Sequence, residues 1–423
     1  ALLGVGLQSP LQPVMAQSGT ESLTLQQAIV LAVEHHPSLK AAEANIASAS
    51  GSLTQAKSAY MPSLNLSATA QRTDGAFVFN PSFPPRNQSY NNYSAGLQIN
   101  QTLFDFGRTI NRVSANSGFL DASSLDFEAA RGTVIANVQI AYFGAVQARQ
   151  VARVNEEAFE QVSRHLAQAK AFYNVGRRPL FDVTKAEVDL ANPNVNLIRA
   201  RNQLRVANLQ LENAMGVHPK HPFTVSDTLS VTPFALALDS VKEVAFTKRP
   251  ELHAARTRVE ANRSLVTAAW DQHLPTLSAF GNWTWSNFNF PLFSRWNAGV
   301  TLTFPVFQGF SVVGQVQQAE AAADVAQANL DVLRESIVLE VEQAYWGLRE
   351  AEERIAATTK LVEQAEQNLN LAERQYAAGV GTALETTDAQ LTVSNARITN
   401  IQSLYDYNTS LVKLQKAMGS LEK

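Results

Sequence analysis

Residues 341–376 read VEQAYWGLREAEERIAATTKLVEQAEQNLNLAERQY. Within them Val341, Ala344, Leu348, Ala351, Ile355, Thr358, Val362, Ala365, Leu369, Ala372 and Tyr376 recur at a spacing that alternates three and four without a break. That is the heptad of a coiled-coil seam. Small alanines alternate with larger residues, so neighbouring helices can approach closely. Upstream, Leu330, Leu333, Ile337 and Val341 are spaced three, four, four. The additional four-residue step relaxes a left-handed supercoil. The seam has a counterpart in Val138, Ala141, Ala145, Ala148, Ala152, Asn155, Phe159, Val162, Leu166, Ala169 and Tyr173. Taken whole, 108–173 and 311–376 are each about 65 residues, on the order of 100 Å as helix.

The seam occurs twice because the whole pattern occurs twice. Leu25-Gln26-Gln27-Ala28 to Pro37-Ser38-Leu39 reappears as Val241-Lys242-Glu243-Val244 to Pro250-Glu251-Leu252, and Pro62-Ser63-Leu64 as Pro275-Thr276-Leu277. Ala141-Tyr142-Phe143 pairs with Ala344-Tyr345-Trp346, and Tyr173-Asn174-Val175-Gly176 with Tyr376-Ala377-Ala378-Gly379. Both halves close on Ala-Met-Gly, at 214–216 and 417–419. Ordered matches over such a length mark an internal repeat. The expected organisation is a signal-peptide remnant or flexible start at 1–20, a first repeat at 21–216, a connector at 217–238 and a second repeat at 239–419. Each half reads as helix, strand, loop, strand, very long helix, turn, helix. Single opening helices are expected at 23–60 and 240–270, and a Gly/Pro/Asn-rich loop at 71–92.

The strand segments, within 63–103 and 276–305, alternate with period two. Leu64, Leu66, Ala68 and Ala70 oppose Ser63, Asn65, Ser67 and Thr69; Ala95, Leu97 and Ile99 oppose Ser94, Gly96, Gln98 and Asn100. Leu277, Ala279, Gly281, Trp283 and Trp285 oppose Ser278, Asn282 and Thr284, with Phe280 as the exception. Trp296, Ala298, Val300, Leu302 and Phe304 oppose Asn297, Gly299, Thr301 and Thr303. Runs of about nine residues are long enough to cross a bilayer as tilted strands, and the same alternation also fits a soluble antiparallel sandwich with one wet face. The polar face is almost uncharged, as a wet lumen would be. Tyr93, Trp283, Trp285 and Trp296 are placed near strand ends, as an interfacial aromatic girdle. Four strands cannot close a barrel and open edges are not tolerated in lipid, so several chains must share one barrel.

The chain has 423 residues and a formal net charge of −3, which gives no basic field and argues against a nucleic-acid partner. Cys is absent, which excludes disulfides, thiol catalysis and Cys lipidation. No later segment has ~20 consecutive apolar residues, so no transmembrane helix is expected. No phosphate loop, nucleophile elbow or HExxH motif occurs, and no enzyme activity or cofactor is expected. The His218-Pro219-Lys220-His221 pair is read as a solvated connector and His35-His36 as structural, so no metal site is expected.

In order and spacing these features resemble the outer membrane efflux protein, or TolC, family over nearly the whole chain. The landmarks are Pro37 and Pro250, the strand starts at Pro62 and Pro275, Leu103-Phe104-Asp105-Phe106-Gly107 with Val306-Phe307-Gln308-Gly309, and the two helix tips. The resemblance implies an α+β membrane protein: a long coiled-coil barrel continuous with a β-barrel completed in a homotrimer. It implies an outer-membrane exit duct with a large periplasmic part, serving multidrug or metal efflux or type I secretion. Its partners would be a periplasmic adaptor docked at the tips near Gly176 and Gly379, and an inner-membrane pump or ABC exporter. Glu385 and Asp388 fall where the family places a ring of aspartates at the periplasmic gate, and their spacing of three puts both on one helix face. Converging carboxylates would favour cations. At a helix start they also suit the dipole and the cap. Asp182 and Tyr376 match positions that lock the resting tip. The arginine completing that lock is absent, Gly381 standing there, with Arg177 or Arg178 as substitutes from the neighbouring turn. The rival reading is a soluble periplasmic coiled-coil scaffold or adaptor.

Overall fold

The computed structural model describes residues 21–77, 86–177, 179–217, 223–226, 228–378 and 380–421. The expected start at 1–20, the tip residues Arg178 and Gly379, and His218-Pro219-Lys220-His221 lie outside the described residues. In chain order the elements are β1 (Glu21–Leu23), α1 (Leu25–His35), α2 (Pro37–Lys57), β2 (Ser63–Phe77), β3 (Arg86–Phe104), α3 (Arg108–Asn174), α4 (Leu180–Met215), β4 (Phe223–Val225), α5 (Leu238–Lys248), α6 (Pro250–Trp270), β5 (Thr276–Asn287), β6 (Phe293–Thr303), α7 (Ser311–Ala377) and α8 (Ala383–Ala417). From α1 to α4 and again from α5 to α8 the order is helix, helix, strand, strand, long helix, helix.

Three expectations change. The opening helices are not single: each breaks before its proline, at His36 and Arg249, whose backbones are extended (ψ 126° and 118°). A proline clashes with a helical conformation in the residue before it, so a new helix starts on the ring itself. The strands exceed nine residues, at 15, 19, 12 and 11, and most of the expected 71–92 loop is strand. Asn- and Gln-rich segments lack an apolar alternation, yet the β2–β3 ladder carries them from Gln71↔Asn92 to Phe77↔Arg86. Finally, β1 and β4 form a parallel two-stranded sheet, too short to leave a periodic signal.

Helix ends explain the repeated Ala-Met-Gly. Gly216 and Gly419 take left-handed φ of 68° and 64°. The next amides reach back, Val217 N–H to Glu212 O at 3.3 Å and Ser420 N–H to Gln415 O at 2.9 Å. This is the Schellman cap, which needs a residue without a Cβ at its left-handed position. Met215 and Met418 are buried at the same two ends.

The described chain forms two compact units, to both of which α3 and α7 contribute. One unit contains residues up to His36, 134–234 and 347–413. The Tyr142 hydroxyl donates to Leu23 O at 2.9 Å, the Tyr407 hydroxyl to Thr232 O, and the Arg149 guanidinium to Val225 O. Both tyrosines are fully buried and hold β1 and the connector against the helices. Burial pushes the Tyr407 pKa up, the Glu352 carboxylate adds to this, and Arg349 opposes it. Further along, Ala365, Val393 and Ala396 pack with Val362 and Leu369, joining α7 to α8 along the heptad seam.

The other unit contains 37–133, 235–346 and 414–423. Its four-stranded antiparallel sheet has the order β2-β3-β5-β6. Register aligns like with like across all four strands. Leu66, Leu97, Trp283 and Trp296 form one row, and Asn65, Gln98, Asn282 and Asn297 form another on the opposite face. Alternation breaks at Gln101 and Leu103, where the register shifts between Thr102 and Phe104. Phe280, the exception to the polar face, lies opposite Gly299, and its ring covers the bare backbone there. Among the helices of this unit, Arg249 is buried and paired with Glu340 at 2.6 Å.

Candidate functional site

Two places concentrate the expected residues: the turns at the ends of α3 and α7, and the sheet. At the first turn, Gly176 has φ 72°. Its amide donates to Tyr173 O and that of Arg177 to Phe172 O, both at 2.9 Å, another Schellman cap. Gly176 and Arg177 are exposed. At the second turn, Val380 and Gly381 both donate to Gln375 O, at 3.1 and 3.0 Å. A Cβ on Gly381 would stand 3.0 Å from Gln375 Cβ and 3.0 Å from the Tyr376 nitrogen. The turn would have to shift by a few tenths of an ångström to admit the arginine of the family pattern.

Asp182 and Tyr376 are brought together: both line one cavity of about 90 Å³, with His165, Lys185, Asp189 and Gln390. Gln390 is 4% exposed, and its side-chain nitrogen has no hydrogen-bond partner. Arg177 is not among the lining residues. Sequence reasoning did not single out Gln390, Lys185 or Asp189; a buried glutamine carries no periodic signal that separates it from a solvated one.

Glu385 and Asp388 are both exposed, on the side of α8 away from buried Thr386, Ala389 and Gln390. Glu385 also has a local partner. Its Oε2 accepts from Thr382 N–H at 2.8 Å, and Thr382 Oγ1 accepts from Glu385 N–H at 3.2 Å. This reciprocal capping box was readable in Thr-Ala-Leu-Glu. Among the described residues no three histidine or carboxylate side chains converge to hold a metal ion.

On the sheet, one face presents large apolar side chains to the surroundings: Leu66 and Trp296 are each 75% exposed, and Leu64, Val300 and Leu302 are exposed with them. Trp283 and Trp285 stack at 5.7 Å, and Trp283 faces Trp296 across the ladder. All three lie toward the β5–β6 hairpin. Tyr93 departs from the expected strand-end position: it lies inside the longer β3, level with the end of β5 at Asn287. A second aromatic group was missed. Phe104, Phe106, Phe307 and Phe310 are exposed where β3 and β6 lead into the long helices. From Trp296 to Phe304 is eight residues, about 27 Å along a strand, or roughly 20 Å with the tilt of barrel strands. That is the order of the apolar band between two aromatic girdles.

An exposed apolar sheet face banded by aromatics, attached to heptad helices, defines a class: channel proteins that complete a membrane β-barrel from partial sheets. The sequence profile described as outer membrane efflux protein matches residues 28–217 and 243–420. The chain belongs to that family and is an outer-membrane protein. It is 24% identical to the outer membrane protein TolC of Escherichia coli K12, over 97% of this chain and 85% of that protein. It is 27% identical to protein CyaE of Bordetella pertussis, over 95% and 85%. The Campylobacter jejuni CmeC outer membrane channel shares the fold with a TM-score of 0.83 at 18% identity, covering 99% of this chain and 94% of that one. No described helix is long and apolar enough to cross a membrane.

Proposed function

We propose that three copies of this chain assemble into one passive exit duct, whose cargo is delivered by an inner-membrane pump or ABC exporter through a periplasmic adaptor. One observation carries the reading. The four-stranded sheet has an exposed apolar face, and among the described residues its outer strands β2 and β6 each pair on one side only. In lipid such edges must be covered, and the alternating strand directions allow β6 of one copy to meet β2 of the next in antiparallel sense. The polar face then lines a lumen mostly of amides and hydroxyls, which suits passage of drugs, metal ions or secreted proteins. The tips form the periplasmic end: Glu385 and Asp388 ring the gate, Asp182 and Tyr376 hold it at rest, and Gly176 and Gly379 belong to the segments that receive the adaptor. The scaffold reading leaves the exposed leucines and tryptophans without a purpose.

The chain has no cysteine, so introduced pairs give a clean test. Asn65→Cys in β2 would be combined in turn with Arg295→Cys, Asn297→Cys, Gly299→Cys, Thr301→Cys or Thr303→Cys in β6. Within one copy the two edges stand three strands apart, roughly 14 Å, too far for a disulfide. Oxidation of membrane-inserted protein should give covalent trimers from at least one pair. Monomers alone from every pair would overturn the shared barrel.

A further inference from the structure

The portion of the sheet shared by all four strands contains a single side chain that is charged at neutral pH. Residues 63–70, 93–104, 276–287 and 293–303 include no Asp, Glu, Lys or His, and one Arg, Arg295. Register assigns it to the polar face. Arg295 is opposite Thr284, which is opposite Gly96, which is opposite Ser67. Asn297, two residues along on the same face, ends the row of four amides. Asp74, the nearest strand carboxylate in the chain direction of β2, has the parity of the other face and accepts from Ser89 Oγ at 3.0 Å. No carboxylate therefore stands on the described polar face to neutralise Arg295.

Its neighbours leave it prominent. Thr284 lies over Gly96, where a Cβ would stand 3.3 Å from the threonine Oγ1, so the row adds little bulk beside the guanidinium. Arg295 itself is exposed. Its height is fixed by the rows on either side, Trp283–Trp296 and Trp285–Ser294, which place it within the aromatic band near the β5–β6 hairpin. An ionisable residue within a membrane-spanning segment serves a pathway more often than the fold, and lumen-facing side chains of barrels set selectivity.

We propose that Arg295 is a charge-selecting residue of the duct: its copies form a cationic ring in the lumen at the hairpin end of the barrel. The ring draws solutes bearing carboxylate, phosphate or sulfate groups and retards cations. It is opposite in sign to the carboxylates of Glu385 and Asp388, so the two ends discriminate differently. This rests on the reading of the polar face as lumen. Arginine stays charged across the working pH range, so the effect is set by salt and not by pH.

The test is the reversal potential of the full chain in planar bilayers under a potassium chloride gradient kept below about 0.1 M, where the screening length is ~10 Å or more. Arg295→Gln should raise the potassium-to-chloride permeability ratio roughly two- to threefold, about one thermal unit of electrostatic energy at lumen distances, and Arg295→Glu should raise it further. Arg295→Lys should keep the wild-type ratio, and the differences should fade near 1 M salt, where the screening length is ~3 Å. Thr284→Glu, which sets a carboxylate beside Arg295, should act in the same direction as Arg295→Gln. Persistent channel steps with one ratio in all variants would show that Arg295 does not face the lumen. Inserted wild-type protein without any steps would overturn the duct itself, and this proposal with it.

Discussion

Gly381 packs tightly against the end of α7: the nearest atoms to a built Cβ, 3.0 Å away, are Gln375 Cβ and the backbone nitrogen of Tyr376. The contact includes main chain, which cannot rotate aside. Gly381→Ala should therefore displace the turn, at a cost of about 1–3 kcal/mol for overpacking. Gly381→Arg should disturb the tip and not restore the missing lock. Both variants should be cleaved faster by protease near Val380 and should conduct more than wild type in bilayers. Wild-type protection in Gly381→Ala would show that the turn relaxes freely.

Glu385 has two candidate roles that substitution separates. A capping box accepts Gln as well as Glu at its third position. Glu385→Gln should keep the melting temperature and lower the preference for cations. Thr382→Ala should do the opposite: lose about 1 kcal/mol of local stability, read as faster amide exchange at 382–386, with the preference retained. Loss of stability in Glu385→Gln, with unchanged selectivity, would assign the carboxylate to the cap alone.

The ring of Phe280 covers Gly299, from which a Cβ would lie 2.9 Å from Cζ. An aromatic over a strand glycine shields backbone that the glycine leaves bare. Phe280→Ala should lower the temperature at which the oligomer dissociates in detergent, by an amount equivalent to about 1–2 kcal/mol for each strand pair. Thr301→Ala, on the same face of β6, should not. Equal dissociation temperatures for both variants would remove the shielding role.

Alkaline pH probes the other unit. Burial, then Glu352, raises the Tyr407 pKa above 10.0. Burial, then Asp406, does the same for Tyr405. Above pH ~10 the unfolded tyrosines ionise while the folded ones keep their protons. The unfolded state then binds fewer protons, so stability falls as pH rises through that range and is unaffected by these groups below it. Tyr407→Phe should be less stable near pH 8 by about 1 kcal/mol, for the lost bond to Thr232 O, and should lose less on going to pH 11. Helical circular dichroism on heating measures both. Equal losses in variant and wild type would exclude Tyr407 as a source of the alkaline instability.

The long helices were legible because a heptad of more than thirty residues leaves no other reading, and the seam residues Val341, Leu348, Ala351 and Ala365 are buried as expected. The core of the sheet was legible for the same reason at period two. What was not legible lacks periodicity. The outer parts of β2 and β3 are polar on both faces, and β1 and β4 pair over three residues each. Pro37 and Pro250 stood out as landmarks within the opening helices, but a continuous helix and a broken one differ only in the backbone of the residue before the proline. At the tip, the family pattern named Asp182 and Tyr376, which share a cavity. Gln390 was hidden because burial of an amide depends on which face of α8 packs inward.

The most direct measurement is single-channel recording of the purified full chain in planar bilayers, beside a Glu385→Ala/Asp388→Ala double variant. A duct gated by its acidic tips predicts discrete steps in the wild type with a preference for cations, and a loss of that preference with larger conductance in the variant. Folded, inserted protein that gives no steps in either form would contradict the duct.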